Sequence, residues 1–163
     1  MTRRSRAREV ALQLLFQRDH NPGVGQTDVD QFIQNRLREP DMREFCSNLY
    51  AGIVLHQSDI DTRLAAAAEN WRVTRMATVD RNVLRLGAYE LLFTKDTPAA
   101  VAFDEAIELA RRYGSADSSA FVNGVLDRLR REATEETPAT LGPAADPSAT
   151  GQTPADQPLE KGS

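Results

Sequence analysis

The stretch Pro98–Leu129, PAAVAFDEAIELARRYGSADSSAFVNGVLDRL, sets the fold class. Ala102, Ala106, Leu109, Ala110 and Tyr113 recur at helical spacing, and Val122, Val125, Leu126 and Leu129 do the same further on. A Tyr113-Gly114-Ser115 corner divides the two helices. Gly114 is expected to take the left-handed conformation that ends a helix, with Asp117 or Ser118 capping the next one. Phe121 breaks the pattern. At about 100° of turn per residue it lies off the Val122 stripe, beside Asp117 and Arg128, so its ring is either a core-edge filler or a contact surface.

Outward from this pair, helical patterns continue and no alternating strand emerges. The first helix is expected over about Ser5–Arg18, with Ala7, Ala11, Leu14 and Leu15 inward and Asn21-Pro22-Gly23 as its breaker. A second is expected over Val29–Leu37, capped by Asp28 and stopped at Glu39-Pro40. A third spans Asp41–His56, and a fourth, capped by Ser58 or Asp59, runs up to Trp71. Thr78 is expected to cap the fifth, Val79–Phe93. Thr97-Pro98 opens the sixth, and the seventh ends near Arg131. Short connections make successive helices antiparallel neighbours in an all-α bundle.

The chain has 163 residues, enough for one domain with a real core. Its single cysteine, Cys46, allows no internal disulfide, in keeping with a reducing, cytoplasmic setting. No apolar run reaches the ~20 residues of a membrane span. The net charge of −4 is unevenly placed. Residues 1–133 balance 19 Lys and Arg against 19 Asp and Glu, whereas 134–163 holds one Lys and five acids. The tail also holds five of the eight prolines and no aromatic residue. It cannot bury enough apolar surface to offset its ordering entropy, so a helical domain over 1–133 and a disordered acidic tail over 134–163 are expected. Within the domain, residues 1–18 carry five arginines against one acid, Glu9. That is the charge footprint of a nucleic-acid contact.

Three motifs resemble the NusB family of bacterial transcription antitermination factors. Asp104–Ala110, Tyr113-Gly114, Asp117-Ser118 and Phe121–Asp127 are similar to its C-terminal signature. Val79–Leu91 resembles its central buried helix, and Arg3–Glu9 with Ala11, Gln13 and Leu14 resembles its arginine-rich first helix. The match runs in order from about Arg3 to Leu129 and is loose between Asp19 and Asn70. The resemblance implies a seven-helix bundle of two three-helix subdomains sharing helix five. It also implies a non-enzymatic function: binding the boxA RNA of ribosomal RNA transcripts together with NusE, a basic small-subunit ribosomal protein, so that RNA polymerase resists premature termination.

Repeated positive charge at a helix N-terminus opposes the helix dipole, at ~0.3–1 kcal/mol for each exposed group. Helix stability alone does not select for it. Arginine suits RNA because its planar fork pairs with phosphate and its face stacks on bases. The resemblance places Arg3, Arg4, Arg6 and Arg8 on phosphates. It places Phe121 on a base, with Phe16 and Gln13 beside it. Phe16 stands where the family often has tyrosine, and Ser5 interrupts the arginine run. With ~3–4 phosphates neutralised, log affinity should fall against log salt with a slope of about −2 to −3. Asp80 and Asp117 read from the residues as helix-start acids. The resemblance places both in the partner-facing region, opposite basic NusE. A homodimer is the alternative occupant of that surface when NusE is absent. The acidic tail is expected to compete with RNA for the arginines.

Other chemistry lacks its parts. Asp104, Glu105 and Glu108 sit beside Arg111 and Arg112, the pattern of a solvated ion-pair face. His20 and His56 have no ligand spacing with Cys46, no Gly-rich phosphate loop occurs, and Ser118 and Ser119 have no nearby histidine. Neither a metal nor a cofactor is expected. Trp71 is either a binding platform or, as expected for its helix-to-loop position, a subdomain anchor. The alternative function is an RNA-binding accessory fragment related to the N-terminal domain of ribosomal RNA cytosine methyltransferases. That class requires a following methyl-donor domain, and no βαβ pattern follows Arg131.

Overall fold

A computed structural model of the protein describes residues 2–69 and 71–140, with side chains described to residue 135. Among the described residues there are seven α-helices and no strand. They are α1 (Arg3–His20), α2 (Gln26–Arg36), α3 (Pro40–Leu55), α4 (Gln57–Ala67), α5 (Thr78–Leu92), α6 (Ala99–Tyr113) and α7 (Ser118–Thr140). A 3-10 turn, Val73–Arg75, stands between α4 and α5. None of these helices is long and apolar enough to cross a membrane.

The fifth helix is the hub. α5 touches α1 and α3 on one side and α4, α6 and α7 on the other. Its Val83, Leu84, Leu86 and Ala88 are wholly buried. Gly87 lets the helices close: a Cβ there would lie 2.9 Å from Leu126 Cδ1 and 3.3 Å from Ala106 Cβ.

Two ion-pair systems, one buried and one part-buried, tie α1 to α5. Arg8 donates from Nε and Nη2 to the two oxygens of Glu90 at 2.7 and 2.9 Å, and Thr97 donates to Glu90 Oε2 at 2.7 Å. At the other end of α1, Asp19 accepts from Arg81 (2.9 Å), Asn82 (2.9 Å) and Arg85 (3.2 Å). Arg85 also forks onto Asp61 of α4 at 2.8 and 2.9 Å. Burial pushes the Asp19 carboxyl upward. The bonds from Arg81 and Asn82 and the charges of Arg85 and Arg81 outweigh it, so its pKa lies below the ordinary value. Cys46 sits in the core, where burial pushes its thiol up to about 12.

Several local expectations are corrected. Gly114 is extended (φ −91°, ψ −169°), not left-handed. Its requirement is space, because a Cβ would lie 2.4 Å from Ser118 Oγ and 2.7 Å from the Ala110 carbonyl. Ser118 Oγ then accepts from Ser115 N–H at 2.9 Å. Thr78 lies inside α5 after Ala77, and Gly25 rather than Asp28 precedes α2. α4 stops at Ala67, short of Trp71. Trp71 does not anchor a subdomain: it is 56% exposed. α7 continues to Thr140, past the expected end near Arg131. The remainder of the acidic tail, 141–163, and its expected competition for the arginines lie outside the described residues.

Candidate nucleic-acid interface

The first turns of α1 fan their arginines in different directions. Arg3, two-thirds exposed, pairs with Glu39 at 3.2 Å and reaches Asp41 at 4.0 Å. Arg4 is exposed and lies over the Phe45 ring, 5.1 Å from its centroid. Arg6 bonds Glu9 at 2.8 Å while half its side chain meets solvent. Arg8 departs from the expectation. It is 2% exposed and committed to Glu90, so it braces the fold and offers no surface to a phosphate. Helical geometry explains this: Arg8 lies one residue from Ala7 and three from Ala11, on the flank of the buried stripe.

Glu9 is an organising point. Its carboxylate is mostly buried and accepts from Arg6, from Arg112 of α6 at 3.4 Å, and from the Tyr113 hydroxyl. Burial first, then the bond to Glu9 and its negative charge, raises the Tyr113 pKa, so the hydroxyl stays protonated.

Around this point lies a cleft of about 590 Å³ formed by α1, α2, α5 and α6. Arg6, Gln13, Phe16, Phe32, Arg36 and Tyr113 line it. Phe16 is 41% exposed and meets the His20 ring at a tilt of 30°, with centroids 4.5 Å apart. The cleft brings together three of the residues expected to meet RNA.

A second cavity of about 310 Å³ lies between the 3-10 turn, α5 and the start of α7. It joins Trp71, Arg75, Asp80, Asp117 and Phe121. Phe121 is half-buried: it packs on the core, and its ring meets the Trp71 ring edge-on at 5.9 Å. Asp80 Oδ1 is buried with no hydrogen-bond partner among the described residues. A buried carboxylate oxygen without a donor is costly in isolation. The residues expected to face RNA and those expected to face a protein partner therefore share one pocket.

The two cavities draw on the same two segments. Val79 lines the first and Asp80 the second; Tyr113 lines the first and Ser115 the second. The first turn of α5 and the α6–α7 corner thus contribute to both. The residues that build them occur in the order and spacing of a known set of proteins. The NusB family model matches residues 5–131. The chain belongs to the NusB family.

It is 45% identical over 129 residues to a transcription antitermination protein NusB of Sorangium cellulosum, covering 79% of this chain and 92% of that one. A NusB of Geobacillus kaustophilus is 42% identical over 128 residues, covering 78% and 95%. Among solved structures, T. maritima NusB superposes with a TM-score of 0.72 at 39% identity, covering 81% of this chain and 92% of that chain. A crystal structure of antitermination factors NusB and NusE in complex with double-stranded RNA superposes with a TM-score of 0.73 at 26% identity, covering 81% and 98%.

Sequence reasoning set Trp71 as a binding platform below its anchoring role, and it missed Arg36 and Phe32. Phe32 and Arg36 are four apart, the spacing that sets Arg36 Cζ 3.4 Å from the Phe32 centroid. Among the described residues no group of three His, Cys, Asp or Glu side chains could hold a metal.

Proposed function

We propose that this protein is a transcription antitermination factor without enzymatic activity, which binds boxA RNA of ribosomal RNA transcripts as a heterodimer with NusE and makes RNA polymerase resist premature termination. The observation that carries the reading is the pair of cavities to which the first turn of α5 and the α6–α7 corner both contribute. One presents Arg6, Gln13 and Phe16, and the other presents Phe121 and Trp71 with Asp80 and Asp117 at its edge. Single-stranded RNA is recognised by phosphate contacts that set register and by unstacked bases laid on aromatic rings. Arg3, Arg4 and Arg6 supply the first. Phe121, Phe16 and Gln13 supply the second. The antitermination names of its relatives and the NusB–NusE–RNA complex of a structural relative support the same reading.

Asp80 and Asp117 are the assigned partner contacts. A donor from basic NusE would satisfy Asp80 Oδ1 and remove the cost of its burial. Native mass spectrometry should show a one-to-one complex with NusE. The homodimer expected without NusE should give way to it as NusE is added.

The decisive test is Phe121→Leu, titrated with a boxA-type single-stranded RNA. Loss of one stacked base should weaken binding by ~1–3 kcal/mol with the fold retained. Unchanged affinity would return Phe121 to a packing role and remove the base-stacking reading. Replacing Arg3, Arg4 and Arg6 together by alanine should flatten the salt slope by about 2 (about 0.7 for each phosphate of a single strand).

A further inference from the structure

A third groove, of about 340 Å³, runs along the start of α1 and the end of α2. Four arginines line it: Arg3 and Arg6 from α1, Arg36 from the last turn of α2, and Arg38 from the link to α3. Its acids are few. Glu39 lines the groove and pairs with Arg3, Asp41 stands 4.0 Å from Arg3, and Glu9 bonds Arg6. Arg36 and Arg38, both exposed, have no carboxylate within ion-pair distance among the described residues. Arg36 is nevertheless held. It lies on the Phe32 ring and donates weakly to the Phe32 carbonyl at 3.4 Å, so its fork is oriented without being neutralised.

The groove is also continuous with the surface already described. Arg6 and Arg36 line both it and the aromatic cleft, so those two cavities share a wall, as the aromatic cleft and the Trp71–Phe121 pocket share the first turn of α5. The order along the surface is basic groove, aromatic cleft, aromatic pocket. A strand of alternating phosphate and base fits that order, with its backbone entering over guanidinium groups and its bases reaching the rings.

We propose that Arg36 and Arg38 are RNA-binding residues, which extend the RNA track beyond α1 into a phosphate-binding groove on α2. The inference rests on the RNA reading above and deepens it. The charge of α2 thereby restores what burial of Arg8 removes from the α1 patch.

The test compares wild type with the double variant Arg36→Gln/Arg38→Gln, each with purified NusE, on a boxA-type single-stranded RNA across a salt series. Loss of two phosphate contacts should make the slope shallower by about 1.4. At about 0.1 M salt that corresponds to binding roughly 25-fold weaker, with the two proteins converging towards roughly 1 M. RNA shortened stepwise from one end should lose this difference at a defined length. Arg111→Gln/Arg131→Gln, on exposed side chains far along α6 and α7, is the charge-matched control. Equal loss in the control would reduce the effect to overall charge and overturn the proposal. So would an unchanged slope in the α2 variant, or a variant that loses only NusE. If wild type itself fails to bind RNA, the functional reading falls and this inference with it; if wild type binds and the α2 variant binds equally, only this inference falls.

Discussion

Arginines on the two sides of α1 do opposite work. Those between α1 and α5 are matched. Arg8 of α1 meets Glu90, and Arg81 and Arg85 of α5 meet Asp19 of α1 and Asp61 of α4, with each fork seated on carboxylate oxygens. Outward, the pairing is exposed or shared. Arg3 pairs with Glu39 at the surface, Arg4 rests on a phenylalanine ring, and Arg6 and Arg112 both bond Glu9. An arginine buried on its carboxylate is closed to a ligand, and its removal strands a buried charge. An exposed one contributes little to the fold and can offer its donors to an anion. Whether an arginine is scaffold or site is decided by whether the fold buries it with its carboxylate.

The sharpest way to break this comparison is to treat Arg8 as a surface residue. Arg8→Gln should cost about 3–5 kcal/mol of stability, because Glu90, 1% exposed, would lose its bidentate partner. Urea denaturation would read the loss. Wild-type stability with weakened RNA binding would move Arg8 back among the phosphate contacts.

Acid separates the two faces next. Asp19 has a folded pKa below its ordinary value, so it contributes stability above about pH 4 that is lost as pH falls through the folded pKa. Asp19→Asn should lower stability at neutral pH and flatten the acid limb of a stability–pH curve. Tyr113→Phe probes the border at Glu9. It removes one donor from a carboxylate that keeps Arg6 and Arg112, so the cost should be near 1 kcal/mol in thermal unfolding. A cost of several kcal/mol would make Glu9 part of the scaffold rather than its edge.

What was readable in the sequence follows the same division. Val79–Leu91 read as a helix from its pattern and as a central buried one from its resemblance to the family, and α5 is the hub. Periodicity reports which face is apolar, and helix packing uses that directly. Pairing is not periodic. Arg8 meets Glu90 across 82 residues and Asp19 meets Arg85 across 66, and no local pattern announces either. Arg8 therefore read as one more basic residue of a patch. Arg36 and Phe32 were missed for a related reason: the stretch from Asp19 to Asn70 matched the family only loosely, and their groove exists only where α2 lies beside α1. Gly114 was recognised as a necessary glycine, but for its φ rather than for its closeness to Ser118, which only the folded corner reveals.

The smallest effect on stability should come from the outward face. Arg4 makes no ion pair among the described residues, and its cation–π contact with Phe45 at 5.1 Å is solvent-exposed. Exposed contacts of this kind contribute ~0.5–1 kcal/mol, and relieving positive charge at a helix N-terminus returns ~0.3–1 kcal/mol. The two nearly cancel, so Arg4→Ala should shift the unfolding midpoint by little. Its RNA affinity should fall about fivefold at roughly 0.1 M salt, with the slope shallower by about 0.7, the share of one phosphate on a single strand. An Arg4→Ala protein that is measurably less stable yet binds RNA unchanged would show an outward arginine serving the fold, and carboxylate matching would then no longer separate the two roles.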